Sequence, residues 1–306
     1  MCPIKRRQSK SLRIGLMAVL GFFSFPAFSR AGNPPTEEGK SLASILSYGI
    51  PTDPLHQGTW VLKVSPGYVV NQDNTDQSTM VDMKGWGGAA AATYAFTDHL
   101  GLAFIAGGNH ISGSRGLDSG GSSGPIALFP GVNPGGPLNG QSTGSGFLGA
   151  VSVIWDHWSG DGFRLPVFAG LSYLDLTETV DDTTAGVKRV GVNHTPGAYL
   201  GLVPQFNILK VRVAPFLTYS MGFQNVNTTL TSYDPATGAT FKQMSFVDTH
   251  LNEESRNVHT AGVSFSYIPW GMGFTYIPSQ INPGISAYTL TWSKRFGEAA
   301  ISAKRP

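Results

Sequence analysis

The 306-residue chain contains a single cysteine, Cys2, so neither a disulfide framework nor a cysteine-ligated zinc site can organise it. Charged residues are scarce, at 13%. Hydrophobic residues nevertheless reach 41%, close to a globular average, which excludes a disordered tail. Beyond the N-terminus there is no run of about twenty apolar residues, which excludes a bundle of membrane-spanning helices. Bulk basicity is missing as well. Residues 1–31 hold six of the 21 Lys and Arg side chains and no Asp or Glu. Without them 15 basic residues face 19 acidic ones, a net charge of −4, and the isoelectric point near 8.6 belongs largely to that leader. Nucleic-acid binding through positive charge therefore loses its basis.

What is present begins with an address. Lys5, Arg6, Arg7, Lys10 and Arg13 form a basic lead, Ile14 to Phe28 is an apolar run broken by Pro26, and Ser29-Arg30-Ala31 places small residues at a cut before Gly32. This is the layout of a secretory signal peptide, with a cut after Ser29 as the near alternative. Cys2 precedes the apolar run, so it is not a lipoprotein cysteine and leaves with the peptide. Residues 32–57 follow as a periplasmic lead-in. Within them Lys40 to Ile50 is compatible with one short helix, and its position suits either a lead-in or a plug at a barrel mouth.

From about Thr59 the pattern changes to a period of two, as in strands with unlike faces. Trp60, Leu62, Val64, Pro66 and Tyr68 share one face, and Thr59, Lys63, Ser65 and Gly67 the other, with Val61 an exception. Val211, Val213, Pro215, Leu217, Tyr219, Met221 and Phe223 lie opposite Arg212, Ala214, Thr218, Ser220, Gly222 and Gln224, with Phe216 out of pattern. Ala261, Val263, Phe265 and Tyr267 alternate with Thr260, Gly262, Ser264 and Ser266; Tyr288, Leu290, Trp292 and Phe296 alternate with Ala287, Thr289, Thr291, Ser293 and Arg295. Six further stretches, at roughly 85–96, 100–112, 146–157, 163–177, 192–206 and 271–279, complete a set of about ten. The second face is Gly, Ala, Ser and Thr rather than charge, as in the interior of a small barrel. The apolar face then needs an apolar solvent, namely lipid.

The joins supply an independent signal. Those near 97–99, 159–162, 207–210 and 269–271 are tight, whereas those near 71–84, 113–145, 178–191 and 225–256 are long and polar. Alternation of short turns and long loops is the habit of a transmembrane barrel with its turns in the periplasm. Trp60, Tyr68, Trp86, Tyr94, Phe96, Trp155, Trp158, Tyr276 and Trp292 cluster near strand ends, where an amphipathic ring suits the headgroup level. The expected fold is all-β: a closed antiparallel transmembrane β-barrel over 58–296, about ten strands, with eight or twelve also compatible with the pattern, and a periplasmic tail at 297–306.

At this point the sequence resembles the small outer-membrane β-barrel proteins typified by the OmpA and OmpW families. The likeness rests on Thr93-Tyr94-Ala95-Phe96-Thr97-Asp98-His99-Leu100-Gly101-Leu102, on the terminal Tyr288-Thr289-Leu290-Thr291-Trp292-Ser293-Lys294-Arg295-Phe296, and on the signal peptide. The resemblance implies that Tyr288, Leu290, Trp292 and Phe296 form the final-strand signal read by the barrel-assembly machinery. It also implies a bacterial outer-membrane location, with lipid and lipopolysaccharide as surroundings. It covers about residues 58–296 as a class pattern. One departure is that Gly297 to Pro306 follow Phe296, where such a signal usually ends the chain.

Parity places Arg164, Arg212 and Arg295 in the lumen beside the periplasmic turns, with Asp156 at the same depth and Lys63 higher up. A charge in a narrow barrel must be paired or hydrated. An internal salt-bridge network is the first expectation, and a cationic constriction favouring anions the sharper one. Several histidines bear on catalysis: His110, His194 and His259 near outer strand ends, His250 among Asp248, Glu253 and Glu254, and the pair Asp156-His157. None is joined to a hydrolase-like string, so no enzyme, cofactor or metal site is expected. The loop at 113–145, with Gly120-Gly121, Gly135-Gly136 and an apolar Ile126-Ala127-Leu128-Phe129 patch, suits a plug or a binding surface. The functional expectation is a non-enzymatic outer-membrane protein, structural or a narrow passive pore for a small solute. Its rivals are a lipid or peptide hydrolase and an adhesin working through the loops at 113–145 and 225–256.

Overall fold

The computed structural model describes residues 50–73, 81–117, 138–160, 162–251, 258–278 and 285–297. The signal peptide, nearly all of the 40–50 segment, the loop patch at 126–129, Glu253 and Glu254, and most of the tail lie outside them. Twelve strand segments are present among the described residues: β1 (Trp60–Asp73), β2 (Val81–Ala95), β3 (Leu100–Leu117), β4 (Leu138–Gly160), β5 (Phe163–Asp182), β6 (Val187–Leu202), β7 (Gln205–Ile208), β8 (Val211–Tyr233), β9 (Thr240–Leu251), β10 (Val258–Tyr267), β11 (Met272–Ile277) and β12 (Ile285–Phe296). Every pairing is antiparallel, and β1 pairs with β12, from Trp60 opposite Phe296 to Asn71 opposite Ile285. The sheet therefore closes.

The twelve segments occupy ten positions round the ring. β6 and β7 share the place between β5 and β8, and β9 and β10 share the place on the other side of β8. The first interruption falls at Val203-Pro204, where proline offers no N–H to the ladder. The expected stretches at 192–206 and 260–267 each match one of these shared positions.

Alternation in the sequence becomes inside and outside. Leu62, Val64, Phe104, Val153, Leu171, Leu200 and Leu290 are exposed on the outer wall, while their neighbours Lys63, Ala103, Ser152, Ser172, Tyr199 and Thr289 are buried. The two residues out of pattern, Val61 and Phe216, point inward and are buried at 7% and 0% exposure. The lumen is thus not lined by small residues alone. Ile105, Leu148, Ile154, Phe168, Leu174 and Phe216 form one apolar cluster inside it. Glycine makes room for the rings: a Cβ on Gly201 would run into the Phe168 ring and one on Gly262 into the Phe216 ring.

Aromatic side chains mark two levels on the outer wall. Trp60 is cross-strand from both Tyr94 and Phe296, and Tyr68 is cross-strand from both Trp86 and Tyr288. The pairs touch, with ring centroids 5.0 Å apart for Trp60–Tyr94 and 4.7 Å for Tyr68–Trp86. Eight residues on one strand separate these levels, about 27 Å of chain and roughly 20 Å along the axis at a tilt of about 40°. That height matches the apolar band of a bilayer-spanning barrel.

The segments 178–191 and 225–256, expected as long polar loops, are largely strand. β5 and β6 continue to a turn at 183–186, and β8 and β9 to a turn at 234–239. β4 and β8 each run for 23 residues, against the roughly ten that span a membrane. Polar composition there does not end the strands: the extensions stay paired, and one face remains buried at Val180, Val187 and Leu230.

Candidate functional site

The short-turn end of the lumen is floored by the chain's own lead-in. Ile50, Thr52 and Leu55 are 2%, 4% and 5% exposed inside the barrel. Ile50 and Leu55 belong to the same apolar cluster as Phe168 and Phe216, and Leu55 lies over Gly101, where a Cβ would leave no space. The segment is anchored outside the floor too. The Gln57 N–H donates to Asp98 Oδ1 at 2.9 Å, and the Gly58 N–H to the Ala95 carbonyl at 2.8 Å.

The backbone carbonyls of this segment take up the polar side chains of the lumen. Lys63 Nζ donates to the Ile50 carbonyl at 2.8 Å. Gln205 Nε2 donates to the Pro51 carbonyl at 2.9 Å, Arg212 Nη1 to the Thr52 carbonyl, and Arg295 Nη2 to the Pro54 carbonyl at 2.9 Å. Asp53 accepts from Ser293 Oγ at 3.3 Å and lies 3.8 Å from Arg212 Nη1. Arg212 Nε also donates to Asn207 Oδ1 at 3.1 Å. Arg164 ion-pairs with Asp156 and reaches Gln205 Oε1 at 3.4 Å.

All five lumen residues singled out by parity therefore meet in one constellation. Lys63 is drawn into it rather than standing apart higher in the lumen, because its long side chain reaches the lead-in. Asp156 is 2% exposed. It is held from behind as well, since the His99 Nδ1–H donates to its carbonyl and its N–H to the His99 carbonyl, both at 2.8 Å. A bulge between Trp155 and Trp158 shifts the β4 register beside it. Four cations here confront two carboxylates, Asp156 and Asp53, and the balance is taken by neutral carbonyl dipoles. Sequence reading missed Gln205, Ser293 and the acceptor role of residues 50–54. Gln205 and Ser293 carried a signal, since both are polar and on lumen parity. Main-chain carbonyls carry none.

The histidines expected near outer strand ends lie elsewhere. His110 Nδ1 is 2.9 Å from Ser145 Oγ, and His194 Nδ1 is 3.3 Å from both Asp175 Oδ2 and Tyr173 Oη. His110, Ser145 and Tyr173 are exposed and follow the outward parity of their strands, so these contacts are on the outer wall and not in the lumen. His259 falls in β10, and Asp248 and His250 in β9. Among the described residues no cluster of His, Cys, Asp and Glu suited to a metal ion is present. Tyr288, Leu290, Trp292 and Phe296, the residues expected to form an assembly signal, all face outward on the closing strand β12.

A closed antiparallel barrel with a greasy outer wall, an aromatic belt at each level and a charged, plugged lumen belongs to the class of small outer-membrane β-barrels. No family model and no curated protein sequence matches the chain. Solved structures similar to it include a major outer membrane protein of Thermus thermophilus, at 14% identity and TM-score 0.40, over 78% of this chain and 99% of that one. The outer membrane protease OmpT of Escherichia coli is similar at 8% identity and TM-score 0.43, over 78% and 94%. OprG of Pseudomonas aeruginosa is similar at 11% identity and TM-score 0.39, over 79% and 98%.

Proposed function

We propose that the protein is secreted, loses residues 1–31, and acts in the bacterial outer membrane as a narrow passive pore for small solutes, kept closed at its periplasmic end by residues 50–55. The carrying observation is the docking of the Ile50, Pro51, Thr52 and Pro54 carbonyls on Lys63, Gln205, Arg212 and Arg295. A purely structural barrel could fill its base with a fixed apolar core. Here the base is part of the lead-in, held by side-chain to main-chain hydrogen bonds as well as by Ile50 and Leu55, and such hydrogen bonds exchange with water once the segment lifts. Planar-bilayer recording tests the reading. The mature chain should show rare, small openings, and Ile50→Ser with Leu55→Ser should raise the open probability several-fold. No current from either protein at any voltage rejects the pore.

The His110–Ser145 contact favours a second reading, an ester hydrolase at the outer wall. A serine nucleophile needs a base within hydrogen-bond reach, and 2.9 Å provides that. Under this reading His110→Ala abolishes phospholipid turnover in mixed micelles; turnover that is absent or unchanged dismisses it.

A further inference from the structure

We propose that the lumen floor is an oxyanion-binding site, occupied in the closed protein by the lead-in, and that a small oxyanionic solute competes with that segment for the same side chains. The competition for the floor stands on geometry alone. Its consequence for opening rests on the pore reading above.

The lead-in holds the site as a surrogate ligand. The carbonyls of Ile50, Thr52 and Pro54, at every second residue, each accept from a different cation: Lys63, Arg212 and Arg295. These bonds have an ionised donor but a neutral acceptor. An anionic oxygen in the same place adds ion pairing to the hydrogen bond, and guanidinium groups can grip it in bidentate fashion. Asp53 is the segment's own anionic group, and it lies at Arg212. When residues 50–55 lift out, Asp53 leaves with them. Of the carboxylates named, Asp156 then remains beside Lys63, Arg164, Arg212 and Arg295, a local charge of +3 on these five residues. Lys63 and Arg212 are 7% and 5% exposed with the segment in place. Water must enter or an anion must bind to satisfy them once it goes. A solute that binds only the vacated floor shifts the equilibrium toward the lifted state, by no more than its differential affinity for the two states.

The test uses the full mature chain in detergent, with inorganic phosphate as the probe and chloride holding the ionic strength constant. Proteinase K cleavage of the bonds between residues 50 and 55, located by mass spectrometry, reads the lifted state. Phosphate at saturation should accelerate that cleavage by about tenfold, a typical coupling between competing sites. Ile50→Ser with Leu55→Ser, which weakens the apolar hold on the segment, should tighten phosphate binding by a similar factor in calorimetry. Arg212→Gln with Arg295→Gln should remove the phosphate response in a barrel that still migrates as folded. Acetate in place of phosphate separates the sources of the oxyanion: a stronger acetate response assigns a carboxylate solute, a stronger phosphate response a phosphorylated one, and either supports the site. Cleavage unaffected by both anions, or a phosphate response that survives the double arginine substitution, overturns the proposal. Phosphate binding without current rejects the pore and retains the site. Current without phosphate or acetate binding rejects the site and retains the pore.

Discussion

Leu209 holds the first place of the two-residue turn between β7 and β8 at a φ of 59°, the only non-glycine residue with positive φ among those described. It is 89% exposed, so it gains little from packing. A left-handed backbone at a side chain with a Cβ costs about 1–2 kcal/mol. Leu209→Gly should therefore raise the thermal unfolding midpoint of the detergent-solubilised barrel, with a gain of about 1 kcal/mol; an unchanged or lower midpoint would contradict this. The same scale shows how far single residues could be read. Inward parity was legible for Lys63, Arg164, Arg212 and Arg295 because a strand turns each successive side chain to the opposite wall. Their acceptors were not legible, since main-chain carbonyls have no residue type.

Hairpin extensions dominate at the level of elements. Above the upper aromatic level, β5, β6, β8 and β9 project as paired ribbons. Tyr233 Oη donates to Asp181 Oδ1 at 2.6 Å, and Arg189 pairs with Glu178 at 2.9 Å. Loss of solvation, together with the Asp181 carboxylate, pushes the Tyr233 phenol up from 10 to about 12. A raised pKa means the folded state favours the protonated phenol. Its contribution is complete below about pH 10 and lost as pH rises toward 12. Spectrophotometric titration should find Tyr233 among the late tyrosinates, and Tyr233→Phe should remove one late step while leaving neutral-pH migration unchanged. Read from composition, these segments were loops. Threonine suits a strand and asparagine a turn, so composition alone fits either, and only pairing between Val187–Val192 and Asn227–Ser232 distinguishes the two.

For the whole molecule the governing fact is closure. An open edge in hydrocarbon would leave N–H and C=O groups unpaired, at several kcal/mol each. The pairing of β1 with β12 removes that edge. The intact barrel should accordingly migrate differently from the boiled chain on a detergent gel. Thr289→Pro on β12, which faces the lumen opposite Gly67, deletes a ladder N–H and should abolish the unboiled form. Identical migration of boiled and unboiled wild type would contradict closure.

The sequence by itself determined the period of two, the greasy and small-residue walls, the alternation of tight and extended connections, and a count of about ten strands. Each is a local property of neighbouring residues, so each survives without knowledge of the partner strand. Only the tertiary structure decided that two of the ten positions are filled by broken strands, and that the polar connections stay paired above the belt. It alone also decided that Ile50 to Leu55 fill the lumen beneath Phe168 and Phe216. The filling of the lumen depends on contacts between residues more than a hundred positions apart, such as Gln205 with Pro51 and Arg295 with Pro54. Contacts across that distance are selected by the closure of the ring and leave no periodic trace in the chain.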